Sequence, residues 1–271
     1  MRRTAHTLLA IALCAMTLCS CGDLLEAHPY DAKTSGETHI NKKNIGLIEE
    51  RLAGRDSIRF AFISDTQRWY DETEDVVEDL NRRGDVDFVV HGGDFTDFGV
   101  TEEFTWQRDI LEGLKVPYVG VIGNHDCLGN GEYTFHKIFG DYNFAFTAGN
   151  VRFICLNTNA LEFDYSQDIP DFTFMTDELK NFPTETTKTV FLMHARPGSD
   201  VFNNNVYEPF EYYVQMFPNV QFCMNGHNHS LEAVDLYGDG TIYFQCPNIE
   251  KRKYYIFTIT DGGYSYETIS F

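Results

Sequence analysis

Phe88-Val89-Val90-His91-Gly92-Gly93-Asp94-Phe95-Thr96-Asp97 opens as a short, β-rich apolar run and stops at a glycine pair and an aspartate. The same arrangement recurs on both sides of it. Ile58–Ser64 runs into Asp65, Val116–Ile122 into Gly123-Asn124-His125-Asp126, Thr189–Met193 into His194, and Val220–Met224 towards Gly226-His227-Asn228-His229. Between these runs, residues 72–83, 101–114, 173–182 and 207–217 mix acidic and apolar side chains at spacings suited to helices covering a sheet. The alternation predicts an α/β chain. In open α/β sheets ligands bind beyond the carboxyl ends of the strands, so residues distant in sequence can converge there. Singly, each ending has a plain explanation: an aspartate after a strand usually caps a helix, Gly-Asn is usually a turn, and a lone histidine is usually a satisfied core residue. Five such endings, all of metal-binding residue types, outweigh that explanation.

Toward the C-terminus the pattern changes. Ile242–Cys246, Tyr254–Thr260 and Tyr264–Ile269 alternate residue by residue, and Asp261-Gly262-Gly263 supplies the permissive dihedrals of a hairpin turn. These segments predict a second, more antiparallel sheet. The chain's 271 residues suffice for one large domain, placed at residues 57–271. Upstream, residues 21–56 read as a polar tether. Within it Ile45, Ile48 and Leu52 recur at helical spacing and Gly54 is a stop, so one helix is expected, packed on the domain's edge. Residues 1–20 read as a lipoprotein signal peptide: Arg2 and Arg3 precede an apolar stretch from Leu8 to Leu18 that is short for a membrane span. Leu18-Cys19-Ser20-Cys21 resembles the bacterial lipoprotein cleavage box, with an ordinary secretory signal as the competing reading. Lipidation at Cys21 would hold the protein on a membrane of the bacterial cell envelope, facing the periplasm or the cell surface.

Charge narrows the partners. The formal net charge is −20, from 41 acids against 21 bases, and loss of residues 1–20 would remove Arg2 and Arg3 but no acid. Such a field repels nucleic acid, which is therefore not an expected partner. An acidic protein can still take phosphate esters where bound cations reverse the field locally. Cys127, Cys155, Cys223 and Cys246 form no CxxC pair and are expected as free thiols.

Taken together, Asp65-Thr66-Gln67, Gly93-Asp94-Phe95-Thr96-Asp97, Gly123-Asn124-His125-Asp126, His194 and Gly226-His227-Asn228-His229 resemble, in order and spacing, the motif set of calcineurin-like metallophosphoesterases. The resemblance implies a four-layer fold, two β-sheets in a sandwich flanked by helices. It implies two divalent metal ions bridged by Asp94, with Asp65 and His229 on one and Asn124, His194 and His227 on the other. A carboxylate can bridge cations about 3.5 to 4 Å apart, and such a pair activates water and clamps both oxygens of an in-line displacement at phosphorus. The implied reaction is hydrolysis of a phosphomonoester or phosphodiester, on a small molecule or a lipid head group. His125 would stabilise charge on the phosphate or protonate the leaving oxygen, with Asp126 as its orienting partner.

Gln67 departs from the family, which usually has histidine there. If its amide oxygen ligates, the harder site favours Mn or Fe(II), with Mg or Ca acceptable, over Zn. If its NH₂ turns outward, it donates to a substrate oxygen and leaves that ion with fewer ligands. The departure also raises a reading from another class: a catalytically weak or inactive metal-binding envelope lipoprotein that binds a phosphorylated ligand. Arg196 faces the same way as His194 along an extended chain and is a candidate phosphate contact, with a surface ion pair as the alternative. For His91, support of the metal site and simple core packing are both open.

Overall fold

The computed structural model describes residues 33–271. The expected leader and Cys21 lie outside the described residues. In chain order the first half holds α1 (Ile40–Leu52), β1 (Ile58–Ile63), α2 (Tyr70–Arg83), β2 (Phe88–His91), α3 (Thr101–Leu111), β3 (Tyr118–Gly120), α4 (Gly131–Ile138), β4 (Phe144–Ala148) and β5 (Val151–Leu156). The second half holds α5 (Phe172–Lys180), β6 (Lys188–Met193), α6 (Tyr207–Met216), β7 (Val220–Asn225), β8 (Glu232–Asp235), β9 (Ile242–Gln245), β10 (Lys253–Thr260) and β11 (Gly263–Ser270).

The strands form two sheets, ordered β11-β10-β1-β2-β3 and β4-β5-β6-β7-β9-β8. β1, β2 and β3 are parallel, as are β5, β6, β7 and β9. Their near-continuous apolar sequences follow from burial of both faces. Phe60 and Phe62 point between the sheets, into a core shared with Phe153, Phe222 and Phe257. Ala61 and Ile63 point outward, beneath Val76 and Leu80 of α2 and Phe104 of α3. Beyond the other sheet, Ile154, Phe191 and Cys223 are covered by Met175 of α5 and by Phe210 and Val214 of α6. The molecule is thus four layers, helices, sheet, sheet and helices, as the family resemblance implied.

Three features differ from that expectation. The C-terminal strands do not make a sheet of their own: β9 joins the second sheet beside β7, whereas β10 crosses back to pair antiparallel with β1 and carries β11 with it. Alternation reports which face of a strand is buried, not which strand lies next to it. The β4–β5 hairpin lies outside the expected strands, although Phe144, Phe146 and Ala148 alternate up to a Gly149-Asn150 turn. Finally, α1 is part of the folded body, ahead of the boundary expected at residue 57. Ile48 and Leu52 enter the core between the sheets, and Ile40 enters the outer one.

α1 lies along the open side of the sandwich, against β3 and β4, the edge strands of the two sheets. Its polar side chains occupy those edges as a further strand would. Asn41 donates to Gly120 O at 2.9 Å and accepts from Gly120 N at 3.0 Å, and Asn44 donates to Tyr118 O at 2.7 Å. On the other sheet, Glu49 accepts from Thr147 N at 3.0 Å. Both edges are thereby blunted.

Candidate metal centre

Beyond the carboxyl ends of β1, β2, β6 and β7 the chain turns sharply. Asp65, Asp94, His227 and His229 have φ of 52°, 59°, 74° and 54°, the left-handed region that costs a non-glycine residue about 1–3 kcal/mol. Such conformations cluster where function over-determines the backbone. Close approach needs glycine beside them: a Cβ at Gly123 would collide with the Asp94 carboxylate, and one at Gly226 with that of Asp65.

Asp94 lies at the middle of the cluster and is buried. Its Oδ1 accepts from His125 N at 2.9 Å, while Oδ2 lies 3.3 Å from His194 Nε2 and 3.4 Å from Gln67 Nε2. On one side, Asn124 Oδ1 is 2.9 Å from both His194 Nε2 and His227 Nδ1. The far nitrogen of each ring is already engaged. His194 Nδ1 meets Gly92 O at 2.8 Å, so it carries a proton and Nε2 is the nitrogen turned towards the cluster, where it could ligate a cation on losing its own proton. His227 Nε2 meets Asp200 Oδ1 at 2.8 Å. On the other side, Asp65 accepts from Ser64 Oγ at 2.5 Å and from His227 N at 3.2 Å, and its Oδ1 is 3.2 Å from His229 Nε2.

These residues suit divalent cations. Donor atoms of Asp65, Asp94 and His194 lie within 4.8 Å of one another, and carboxylate, imidazole and amide oxygen are the ligand types such ions take. Gln67 supplies a sharper sign: its side chain is buried and its Oε1 has no hydrogen-bond partner among the described residues. A buried acceptor left without a donor costs about 1–3 kcal/mol, which a coordinated cation would offset.

Electrostatics agree. Burial alone would lower the pKa of His194, but the Asp94 carboxylate outweighs it and raises it to about 9. Burial would raise Asp94 in turn, yet His194 and His125 hold it down at about 2. Without metal this is an ion pair that a cation must displace.

His125 presents a partly exposed ring whose Nδ1 donates to Asp97 O at 2.8 Å, leaving Nε2 free to face a substrate. Asp126 is not its orienting partner, contrary to expectation. That carboxylate is buried on the opposite side of the turn, accepting from Gly123 N, Thr96 N and Thr96 Oγ1 at 2.9–3.0 Å. Burial and the nearby Asp94 push its pKa up to about 7. It pins the turn carrying Asn124 and His125 to the loop after Asp94. Arg196 donates to Glu232 at 2.8 Å, the ion-pair alternative. His91 accepts from Gly93 N at 3.1 Å and meets Thr66 Oγ1 at 3.0 Å, bracing two of the ligand-bearing loops. Burial lowers its pKa to about 3, so it stays neutral. Cys155, Cys223 and Cys246 are free and buried, and Cys127 is free with its thiol pKa pushed well up by burial.

The family model for calcineurin-like phosphoesterases matches residues 58–231, spanning every strand end just described. The chain belongs to this family. Phosphoester hydrolysis on bound metal is the chemistry of calcineurin-like phosphoesterases. A probable cyclic nucleotide phosphodiesterase of Xenorhabdus bovienii is 31% identical over 68 residues, 24% of this chain and 28% of that protein. The match thus spans little more than a quarter of that relative's length. Among solved structures, a purple acid phosphatase from yellow lupin superposes with TM-score 0.58 at 16% identity, over 80% of this chain and 55% of that one. GAP50, the anchor in the inner membrane complex of Plasmodium, gives 0.57 at 13% identity, over 80% and 85%. At these identities the likeness is one of fold.

Proposed function

We propose that this calcineurin-like phosphoesterase hydrolyses a phosphomonoester or phosphodiester using two divalent ions held on either side of Asp94. The observation carrying the reading is a single buried carboxylate that faces His194 through the same oxygen with which it meets Gln67. Asn124, His194 and His227 would hold one ion, and Asp65, Gln67 and His229 the other. When bound, such ions polarise the phosphoryl oxygens and lower the pKa of water. The chain's own residues do the rest. Asp97 O takes the Nδ1 proton of His125 and orients the ring, so that with a second proton on Nε2 the imidazolium can hydrogen-bond a phosphoryl oxygen or give that proton to the leaving oxygen. Asp200 and Gly92 O hold the ligand rings in register, and Asp126 keeps the turn of Asn124 and His125 against Asp94. An amide oxygen at Gln67 in place of a second nitrogen favours Mn or Fe over Zn.

The substrate in this reading is a small phosphate ester or a lipid head group. The protein is placed on the bacterial cell envelope through Cys21, a proposal supported by the leader-like residues 1–20. Labelling with radioactive palmitate, lost in Cys21→Ala, tests the anchor.

The function is tested by stripping metal from purified protein, restoring manganese, and following an aryl phosphomonoester and an aryl phosphodiester. Hydrolysis that chelation stops and that Asp94→Ala and His125→Ala both lack supports the reading. Metal-loaded protein that turns over neither ester but retains a phosphorylated ligand would replace it with the binding role.

A further inference from the structure

α1 and the segment after α3 enclose a groove of about 380 Å³. It is separate from the metal centre, on the flank where α1 covers β3. Tyr118 is among its lining residues; it is 3% exposed and its hydroxyl is buried with no hydrogen-bond partner among the described residues. Burial raises the pKa of this phenol, so it keeps its proton and is a donor without an acceptor.

The charges around the groove run against the rest of the chain. Arg51 and Lys115 line it, and no ion pair among the described residues engages either. Lys43 is tied to Glu37 at 3.0 Å, which leaves Glu112 as the one acid of the lining outside a salt bridge. In a protein with 41 acids and 21 bases, a cavity with surplus positive charge is a local reversal.

Geometry spaces these groups. Asn41 meets Gly120 and Asn44 meets Tyr118, so α1 runs opposite to β3 and its later turns lie beside the residues preceding Tyr118. Arg51 therefore lies towards Lys115, about 10 Å along the helix from Asn44 and the Tyr118 end. Leu47, Leu114 and Val116 form the apolar stretch between.

We propose that this groove is a second binding site, for a small amphipathic organic anion. Its acidic head would sit at Arg51 and Lys115, its apolar body over Leu47 and Val116, and a carbonyl or ester oxygen would accept from Tyr118.

The monomethyl ester of suberic acid has that layout, while octanoate lacks the acceptor and dimethyl suberate lacks the charge. Calorimetry with metal-loaded protein, in excess inorganic phosphate to occupy the metal centre, compares the three. The monoester should bind tightest. Arg51→Glu and Lys115→Glu should each weaken monoester and octanoate by about tenfold or more, the scale of one charge-assisted contact. Tyr118→Phe removes a hydroxyl without a partner, so the fold should tolerate it; monoester affinity should drop to that of octanoate while octanoate stays unchanged. Equal binding of the neutral diester, monoester affinity indifferent to all three variants, or no binding of any probe would overturn the proposal.

Discussion

Asn124, His194 and His227 meet atom to atom, both rings locked from behind by Gly92 O and Asp200, whereas Asp65, Gln67 and His229 are arranged more loosely. In that second group Asp65 is well supplied with donors, but Gln67 Oε1 has none among the described residues and the His229 side chain is 43% exposed. One group is nitrogen-rich and held in place before an ion arrives. The other is oxygen-rich, with one ligand at the solvent boundary. Affinity and selectivity should therefore differ across Asp94: tight and less discriminating on the first side, weaker and turned to harder ions on the second.

The most severe way to break this asymmetry is to remove the residue both groups share. Asp94→Ala should lose both ions, seen as metal content per chain, and lower hydrolysis by roughly 10³-fold or more, the upper range for a catalytic electrostatic group. His125→Ala should leave the ions alone. A fall of about 10²- to 10³-fold in kcat with unchanged metal content would assign it to the proton or the phosphate; parallel loss of metal would instead make it part of one ligand group.

Asp200→Ala attacks only the first group. Loosening His227 should weaken one ion by about 10–100-fold while the other titrates as before, measurable by competition with a chelator. Equal weakening of both would abolish the distinction between the two groups.

pH resolves the same side more finely. His194, its pKa raised to about 9, must give up its proton to ligate, so metal affinity should rise about tenfold per pH unit up to pH 9, with one proton released. Calorimetry in buffers of different ionisation enthalpy counts that proton. In metal-free protein the sign is opposite: with a folded pKa above the unfolded value, His194 contributes its full stability below about pH 6.5 and loses it as pH rises through 9. Asp94, lowered to about 2, contributes above about pH 4 and loses that as pH falls through 2. Thermal melting from pH 3 to 10 should therefore show this pair's contribution as a plateau between about pH 4 and 6.5.

The mildest change is Gln67→His. It should tilt the second group toward zinc, with manganese-supported turnover altered by less than about tenfold. An unchanged metal preference would mean that Gln67 faces the substrate rather than the ion.

The asymmetry was partly legible in the sequence. Metal donors are restricted to a few residue types and sit at rigid strand ends, so the five strand endings stood out from pattern, while Asp65, Asp94, Asn124, His194, His227 and His229 were singled out as candidate ligands by the resemblance to the family's motif set. Gln67 stood out as a departure from it. The supporting partners could not be read. Asp97 acts on His125 through a backbone carbonyl, which every residue has, and Asp200 lies in a loop with no periodic signature. Asp126 misled because adjacency in sequence suggested contact, while the 3₁₀ turn His125–Cys127 sends the two side chains to opposite sides. β9 and β10 show the same limit at the scale of the fold, since their alternation could not name their neighbours.

Asn41, Asn44 and Glu49 bear on self-association as much as on folding. A chain shortened to begin at Ile58 would keep every candidate ligand yet leave the unpaired backbone of β3 and β4 open on one flank. Bare edges of this kind recruit strands from other molecules. α1 thus serves as a built-in guard against aggregation.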